Sequence, residues 1–105
     1  MTHGALGLLG LGMRAGSVVV GSAGVRAALR RDELALVILA GDRSRRTEEK
    51  VLRLVEARGV AWVEGPSADA LGRALGRSPV QTVGVRDTQL AAGIRAQAAH
   101  DDGPR

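Results

Sequence analysis

Residues that commonly carry catalysis are few in this chain and are badly spaced for it. Cysteine is absent, which excludes a disulfide, a thiolate zinc site and a cysteine nucleophile. The histidines His3 and His100 lie near opposite ends of the sequence, outside any metal-binding HExxH pattern. The paired carboxylates 48–49 and 101–102 fall in an arginine-rich helix and in the C-terminal tail. We therefore predict no catalytic residues, no metal ion and no cofactor, and an enzyme is the least favoured interpretation.

Motifs for nucleotide binding or hydrolysis are also incomplete. Gly10 and Gly12 are followed by Gly16, one residue too far for GxGxxG, and the pattern lies inside a predicted helix. The single lysine, Lys50, follows a glutamate, whereas a Walker A lysine follows a glycine. Ser22 lacks the first glycine of the serine-hydrolase GxSxG motif. These observations argue against a dinucleotide site, a Walker A loop and a serine hydrolase.

Arginine is the residue type whose abundance suggests a ligand. Lys and Arg total 15 against 11 for Asp and Glu, and the formal net charge is +4. The planar guanidinium matches phosphate oxygens and stacks on bases. The clusters are Arg26, Arg30 and Arg31; Arg43, Arg45 and Arg46; and Arg73 with Arg77. The number of arginines is equally consistent with a phosphate-binding surface and with an arginine-rich surface that has no ligand.

Aromatic residues are almost missing, because Trp62 is the only one. Proteins that stack RNA bases on an aromatic platform are therefore excluded. Two segments could bind an anion in another way. The first, 16–22, leads into the second helix, whose first N–H groups are free to bind an anion. The second, 76–79, follows the fourth helix, and in an alternating α/β sheet the two segments could converge at one edge.

Hydrophobic spacing predicts nine elements in the order α-β-α-β-α-β-α-β-α. The predicted helices are 5–15, 22–31, 44–59, 67–76 and 87–98, and the predicted strands are 17–20, 34–40, 60–63 and 80–85. The predicted N-caps are Ser22, Ser44, Ser67 and Asp87, and the predicted helix-ending glycines are Gly16, Gly59 and Gly76. The continuous apolar run 34–40 predicts a strand buried on both faces. This alternation predicts an α/β domain whose helices cover both faces of one small sheet.

The length of 105 residues fits one domain. We expect a single domain over 1–98 and a flexible tail over 99–105. No segment reaches the roughly 18 consecutive apolar residues of a membrane span. The apolar N-terminal segment has no leading positive region, unlike a signal peptide. We expect a cytoplasmic monomer with no membrane partner.

Three segments resemble the bacterial YlxQ-type proteins. They are the stretch 8–16, the block 36–42 with Ser44, Thr47 and Lys50, and the stretch 71–77. The segments occur in the order and spacing of that group, and the resemblance extends over about residues 6 to 95. YlxQ-type proteins belong to the superfamily of ribosomal and ribonucleoprotein proteins that bind kink-turn RNA. The resemblance implies a three-layer α/β/α sandwich around a small mixed four-stranded sheet.

The resemblance also implies an RNA surface at the start of the second helix and in the loop after the fourth. Arginines of the second helix add to it in our interpretation. The predicted RNA-binding residues are Gly16, Ser17, Gly21, Ser22, Ala23, Gly24, Arg26, Arg30, Arg77, Ser78 and Pro79.

The sequence departs from archaeal relatives at positions that contact RNA. Those relatives usually have lysine where Ser17 and Ala27 stand, and an Asn-Glu pair where Ala23 and Gly24 stand. The Asn and Glu side chains read the edges of sheared G·A pairs, and each lost base contact costs about 1–3 kcal/mol by analogy with DNA. Reduced specificity is therefore expected, with Arg26 and Arg30 supplying phosphate affinity.

The sequence thus favours a small non-catalytic RNA-binding protein of the translation machinery. Its expected partner is a structured, kink-turn-like RNA, either ribosomal or another non-coding RNA, together with proteins of the same machinery. The alternative is a protein-interaction module that keeps the fold but has lost its RNA affinity.

Overall fold

The computed structural model describes residues 1 and 3–101, and it contains the nine elements in the predicted order. The helices are α1 His3–Arg14, α2 Ser22–Arg30, α3 Arg45–Arg58, α4 Ala68–Ala74 and α5 Thr88–Asp101. The strands are β1 Val18–Val20, β2 Leu36–Leu39, β3 Ala61–Glu64 and β4 Thr82–Val85.

The four strands form one mixed sheet in the order β1-β4-β2-β3. Strands β2 and β3 are parallel, whereas β4 runs antiparallel to both β1 and β2. Val37 in the centre of the sheet is opposite Trp62 on one side and Gly84 on the other. Since β4 is the last strand in the chain but lies inside the sheet, it brings residues from distant parts of the sequence together.

Helices cover both faces of the sheet, and alternating side chains of β2 point to the two faces. Leu36 and Ile38 belong to one apolar cluster, with Leu9 of α1, Leu71 of α4 and Ile94 of α5. The other cluster contains Val37 and Leu39 together with Val25 and Leu29 of α2 and Val51 and Val55 of α3. The predicted three-layer α/β/α sandwich is therefore confirmed. So is the prediction that β2 is buried on both faces.

Local capping interactions confirm most of the predicted helix ends. The hydroxyl of Ser44 accepts the Thr47 amide at 3.1 Å, and that of Ser67 accepts the Ala70 amide at 3.1 Å. The Asp87 carboxylate accepts the Leu90 amide at 2.8 Å. The predicted helix-ending glycines Gly16, Gly59 and Gly76 have φ of 76°, 64° and 69°, a region that other residues rarely adopt.

Some predicted boundaries differ from the structure. Helix α5 continues to Asp101, beyond the predicted end near Ala98, and residues 102–105 of the predicted tail lie outside the described residues. Strands β2 and β4 are shorter than predicted, although Leu34, Ala40 and Val80 are buried. Leu34, Ala40 and Val80 are apolar because they are buried in the segments that flank the strands. Hydrophobicity alone does not distinguish such burial from strand pairing.

Helix α1 approaches its neighbours closely at one of its glycines. A Cβ added to Gly12 would overlap the Leu90 side chain of α5 and lie 3.0 Å from Val18 Cγ2 of β1. Helix α1 is therefore packed closely against α5 and β1 at Gly12. None of the helices in the described part of the chain has both the length and the apolar character needed to cross a membrane.

Candidate nucleic-acid interface

The start of α2 and the segment after α4 meet in one open groove of about 820 Å³, which we call the loop groove. The residues that line it are Val20, Gly21, Ser22, Thr47, Gly76, Arg77, Ser78, Pro79, Val80 and Gln81. The convergence that the sequence left open therefore occurs. It places five of the predicted RNA-binding residues, Gly21, Ser22, Arg77, Ser78 and Pro79, around one surface.

Sheet topology explains why these segments meet. Strand β1 runs antiparallel to β4, so the end of β1 lies beside the start of β4. The Gly21 amide donates to the Thr82 carbonyl at 2.9 Å and extends this pairing by one residue. The segment 76–81 leads directly into β4, and it is therefore held next to Gly21.

The start of α2 differs from the prediction that Ser22 is its N-cap, which is wrong. The N-cap is Gly21, with φ of 94°, and no side chain caps the helix. Ser22 is the first helical residue, and its hydroxyl forms a 2.9 Å hydrogen bond with the hydroxyl of Thr82. Because no side chain occupies the helix start, the amides of the first turn face the groove side without a capping oxygen. Free amides at a helix start favour an anion.

The bond between Ser22 and Thr82 gives an asymmetric prediction for stability. Thr82 is 0% exposed, so Ser22→Ala removes the partner of a buried hydroxyl. We expect the free energy of unfolding to fall by about 1–3 kcal/mol. Thr82→Val leaves the half-buried Ser22 hydroxyl within reach of water, and we expect a smaller loss. Urea denaturation followed by circular dichroism measures both, and equal losses would contradict this account.

The segment after α4 folds back over its own helix. The Arg77 amide donates to the Gly72 carbonyl at 2.7 Å, and the Val80 amide donates to the Ala68 carbonyl at 2.9 Å. A Cβ on Gly72 would overlap the Ser78 backbone, so the segment lies directly on the bare glycine. Gly72 thus sets the position of Arg77 and Ser78 at the groove.

The start of α3 forms the remaining wall of the loop groove. Its N-cap amide, Ser44 N, donates to Gln81 Oε1 at 2.9 Å, and Thr47 in the first turn lines the groove. Asp42 just before α3 accepts the Ala68 amide at 2.8 Å. Ser44 caps α3 as predicted, whereas Asp42 bonds to the start of α4, 26 residues away in the sequence. Side chains therefore tie α3, α4 and the approach to β4 together around the groove.

Arg43 belongs to an arginine cluster that the sequence associates with phosphate, but its side chain is only 10% exposed. Its guanidinium donates to the Glu48 and Glu64 carboxylates, each at 2.5 Å, and lies 5.5 Å from the centre of the Trp62 ring. Burial lowers the pKa of Arg43, but hydrogen bonds to Glu48 and Glu64 and their negative charges outweigh it, so the pKa lies above its ordinary value. Arg43 therefore joins the β2–α3 turn to the edge strand β3.

The other predicted RNA-binding residues lie beside the groove or away from it. Ala23 is exposed, Gly24 and Arg26 are half-buried, and Arg30 is exposed, all on α2. Gly16 and Ser17 precede β1 and lie at its opposite end, where their carbonyls accept hydrogen bonds from Arg86 at 3.4 and 2.8 Å. The structure does not bring these two residues to the loop groove.

Sequence reasoning missed the groove roles of Gly72, Gln81 and Thr82. A threonine among the valines of β4 is a usable signal, because a polar residue in a buried strand needs a partner. Gly72 and Gln81 act on residues that become neighbours only in the folded chain.

Within the described residues, no group of three or more His, Asp or Glu side chains is placed to hold a metal ion. The arrangement offers amides, hydroxyls and an arginine, which together suit an anionic, hydrogen-bonding ligand.

Solved structures with the same fold include a protein of unknown function from Bacillus halodurans. It has 29% sequence identity and a TM-score of 0.84, covering 88% of this chain and 93% of that one. A second is the 15.5kD RNA binding protein of Giardia lamblia, with 26% identity and a TM-score of 0.71. That match covers 91% of this chain and 82% of the Giardia chain.

A comparison with curated protein sequences found no significant match. A family model does match, however, and it spans residues 5–92, from α1 into α5. The matched region includes every residue that lines the loop groove. The chain therefore belongs to the ribosomal protein L7Ae/L30e/S12e/Gadd45 family.

Proposed function

We propose that the protein binds structured RNA through the loop groove and that it catalyses no reaction. The observation that carries this proposal is the meeting of Gly21 and Ser22 with residues 77–79 in one groove. Membership of a ribosomal protein family and likeness to a Giardia RNA-binding protein support an RNA partner. The uncapped start of α2 and the exposed Arg77 supply the groups that a phosphate needs.

The finer assignment follows from the resemblance to YlxQ-type proteins. We place the chain in that bacterial group, as a cytoplasmic monomer that acts in translation on a kink-turn-like ribosomal or non-coding RNA. Phosphate contacts dominate its binding, because Ala23 and Gly24 offer no polar side-chain atom to a base edge. We therefore propose a small preference for a kink-turn over a plain duplex. Gly16 and Ser17, beside Arg86, contribute less than the groove residues.

Titration against a kink-turn RNA, a plain duplex and a hairpin at two salt concentrations tests the proposal. We expect all three to bind, with log K falling linearly as log salt rises. Arg77→Gln should weaken binding to all three RNAs by a similar factor and reduce the salt slope by about 1. Arg95→Gln is the matched control, because Arg95 is an exposed arginine on α5.

Two outcomes of this titration would change the assignment. The RNA function fails if no RNA binds more tightly than about 10 µM at low salt, since even non-specific binding commonly reaches that range. The alternative, a protein-interaction module with the same fold, would then be favoured by the missing polar groups at Ala23 and Gly24. Equal weakening by Arg77→Gln and Arg95→Gln would move the binding surface away from the loop groove.

A further inference from the structure

The loop groove lies at one end of the boundary between α2 and α3, which we call the α2–α3 seam. Helix α2 packs on α3 as well as on β1 and β4. Ser22 of α2 and Thr47 of α3 line the same groove, so the helix sides that carry them face each other. The opposite side of α2 faces the outer strand, because a Cβ on Gly24 would lie 3.0 Å from Val19 Cγ1.

Three cations of α3 follow one side of this seam. Successive helical residues are about 100° apart, which places Arg46, Lys50 and Arg53 within an arc of about 60°. On the same projection Thr47 lies about 60° beyond Lys50, and Glu49 and Glu56 lie about 40° and 60° beyond Arg53 on the other side. The side chains of Arg46, Lys50 and Arg53 are exposed, and none of them forms an ion pair within the described part of the chain.

Two arginines of α2 form the other side of the seam. Arg26 and Arg30 are one turn apart on the side of α2 that carries Ser22. Arg26 is half-buried, and its Nε is buried without a hydrogen-bond partner among the described residues. A buried donor without an acceptor is unfavourable, and a phosphate oxygen in the seam would supply the acceptor.

Like charges repel within this group of five, and the carboxylates within one turn of the α3 cations, Glu49 and Glu56, are fewer than the cations. Arg26 with Arg30, and Arg46 with Lys50, are like charges at i and i+4, a spacing that destabilises a helix. Asp32, beyond the end of α2, is 3.3 Å from Arg58 and is therefore already paired. A polyanion lying in the seam would relieve this repulsion.

We propose that the α2–α3 seam binds the phosphate backbone of the RNA as it leaves the loop groove, with Arg46, Lys50 and Arg53 as phosphate contacts. This inference rests on the proposed RNA-binding function. The α3 cations extend over about 10 Å of helix, starting at Arg46, the neighbour of the groove residue Thr47. The described structure exposes two large apolar side chains, Leu11 on α1 and Trp62 on β3. Neither lies on the seam, which therefore lacks the apolar anchor that protein partners commonly use.

A triple variant, Arg46→Gln with Lys50→Gln and Arg53→Gln, tests the seam by titration with a kink-turn RNA at several salt concentrations. We expect its salt slope to be smaller in magnitude by about 2–3, and its affinity at low salt to fall by at least about tenfold. The matched control, Arg14→Gln with Arg73→Gln and Arg95→Gln, removes the same charge from the other helical layer. Its slope should stay close to that of the unmodified protein.

The outcomes separate the seam from the groove. If Arg77→Gln weakens binding and the seam variant keeps the original slope, the seam proposal is overturned and the RNA function stands. Equal slope changes in the seam and control variants would also overturn it, because net charge alone would then explain them. An unmodified protein that binds no RNA overturns both proposals. A seam variant that loses binding to polyglutamate but not to RNA overturns the seam proposal in favour of an acidic protein partner.

Discussion

Replacing Gly72 with alanine is expected to lower the free energy of unfolding by about 1–3 kcal/mol, the range of a substitution that overfills a packed site. The added Cβ would overlap the backbone of Ser78 and approach the Arg77 carbonyl, and a backbone cannot rotate away as a side chain can. Helix propensity alone predicts the opposite sign, because alanine is about 1 kcal/mol better than glycine inside a helix. A loss of stability would therefore measure the overlap.

The same substitution should weaken RNA binding, because it displaces the segment that carries Arg77 and Ser78 at the loop groove. We expect at least about a tenfold loss of affinity, equivalent to about 1.4 kcal/mol. Gly7→Ala is the matched control, since a Cβ on Gly7 meets no atom within 4 Å. It should raise stability by up to about 1 kcal/mol and leave RNA affinity unchanged. Thermal unfolding and RNA titration check both, and a stabilised Gly72→Ala variant with normal binding would contradict this account.

Restoring a polar side chain at the start of α2 is expected to change specificity more than affinity. Ala23 is exposed, and the resemblance to kink-turn binding proteins implies an asparagine at this position in archaeal relatives. Ala23→Asn should add a base contact worth about 1–3 kcal/mol, so preference for a kink-turn over a plain duplex should rise by about ten- to a hundredfold. A second substitution, Gly24→Glu, would restore the other polar position. It requires the Val19 side chain to move, because a Cβ at position 24 would lie 3.0 Å from Val19 Cγ1.

The control for this prediction is Ala23→Asp, which matches asparagine in size but carries a negative charge. It should weaken binding to every RNA, because it repels phosphate at the start of the helix. Parallel titrations with a kink-turn RNA and a duplex measure the ratio of affinities. An equal gain for both RNAs with Ala23→Asn would show that position 23 contacts the backbone and not a base.

Local features of the sequence were sufficient for the element order and for most helix ends. Ser44, Ser67 and Asp87 cap helices by accepting amides three residues ahead, so neighbours in sequence determine the outcome. The apolar run 34–40 predicted burial on both faces because no polar residue interrupts it. Ser22 shows the limit of this reasoning, since its hydroxyl bonds to Thr82, 60 residues away, and not to its own helix.

The sequence alone is enough to infer an α/β sandwich that is rich in arginine. Those properties depend on residue type and on spacing along a few turns of chain. The groups of residues that share the groove, and the arginines that remain exposed, depend on how the chain folds. Arg43 is held by Glu48 and Glu64 while Arg46 is exposed, although the two arginines are three residues apart. Strand pairing explains both outcomes, because β4 inserts between β1 and β2 beside the groove, and β3 pairs with β2 and brings Glu64 to Arg43. No local pattern encodes these contacts.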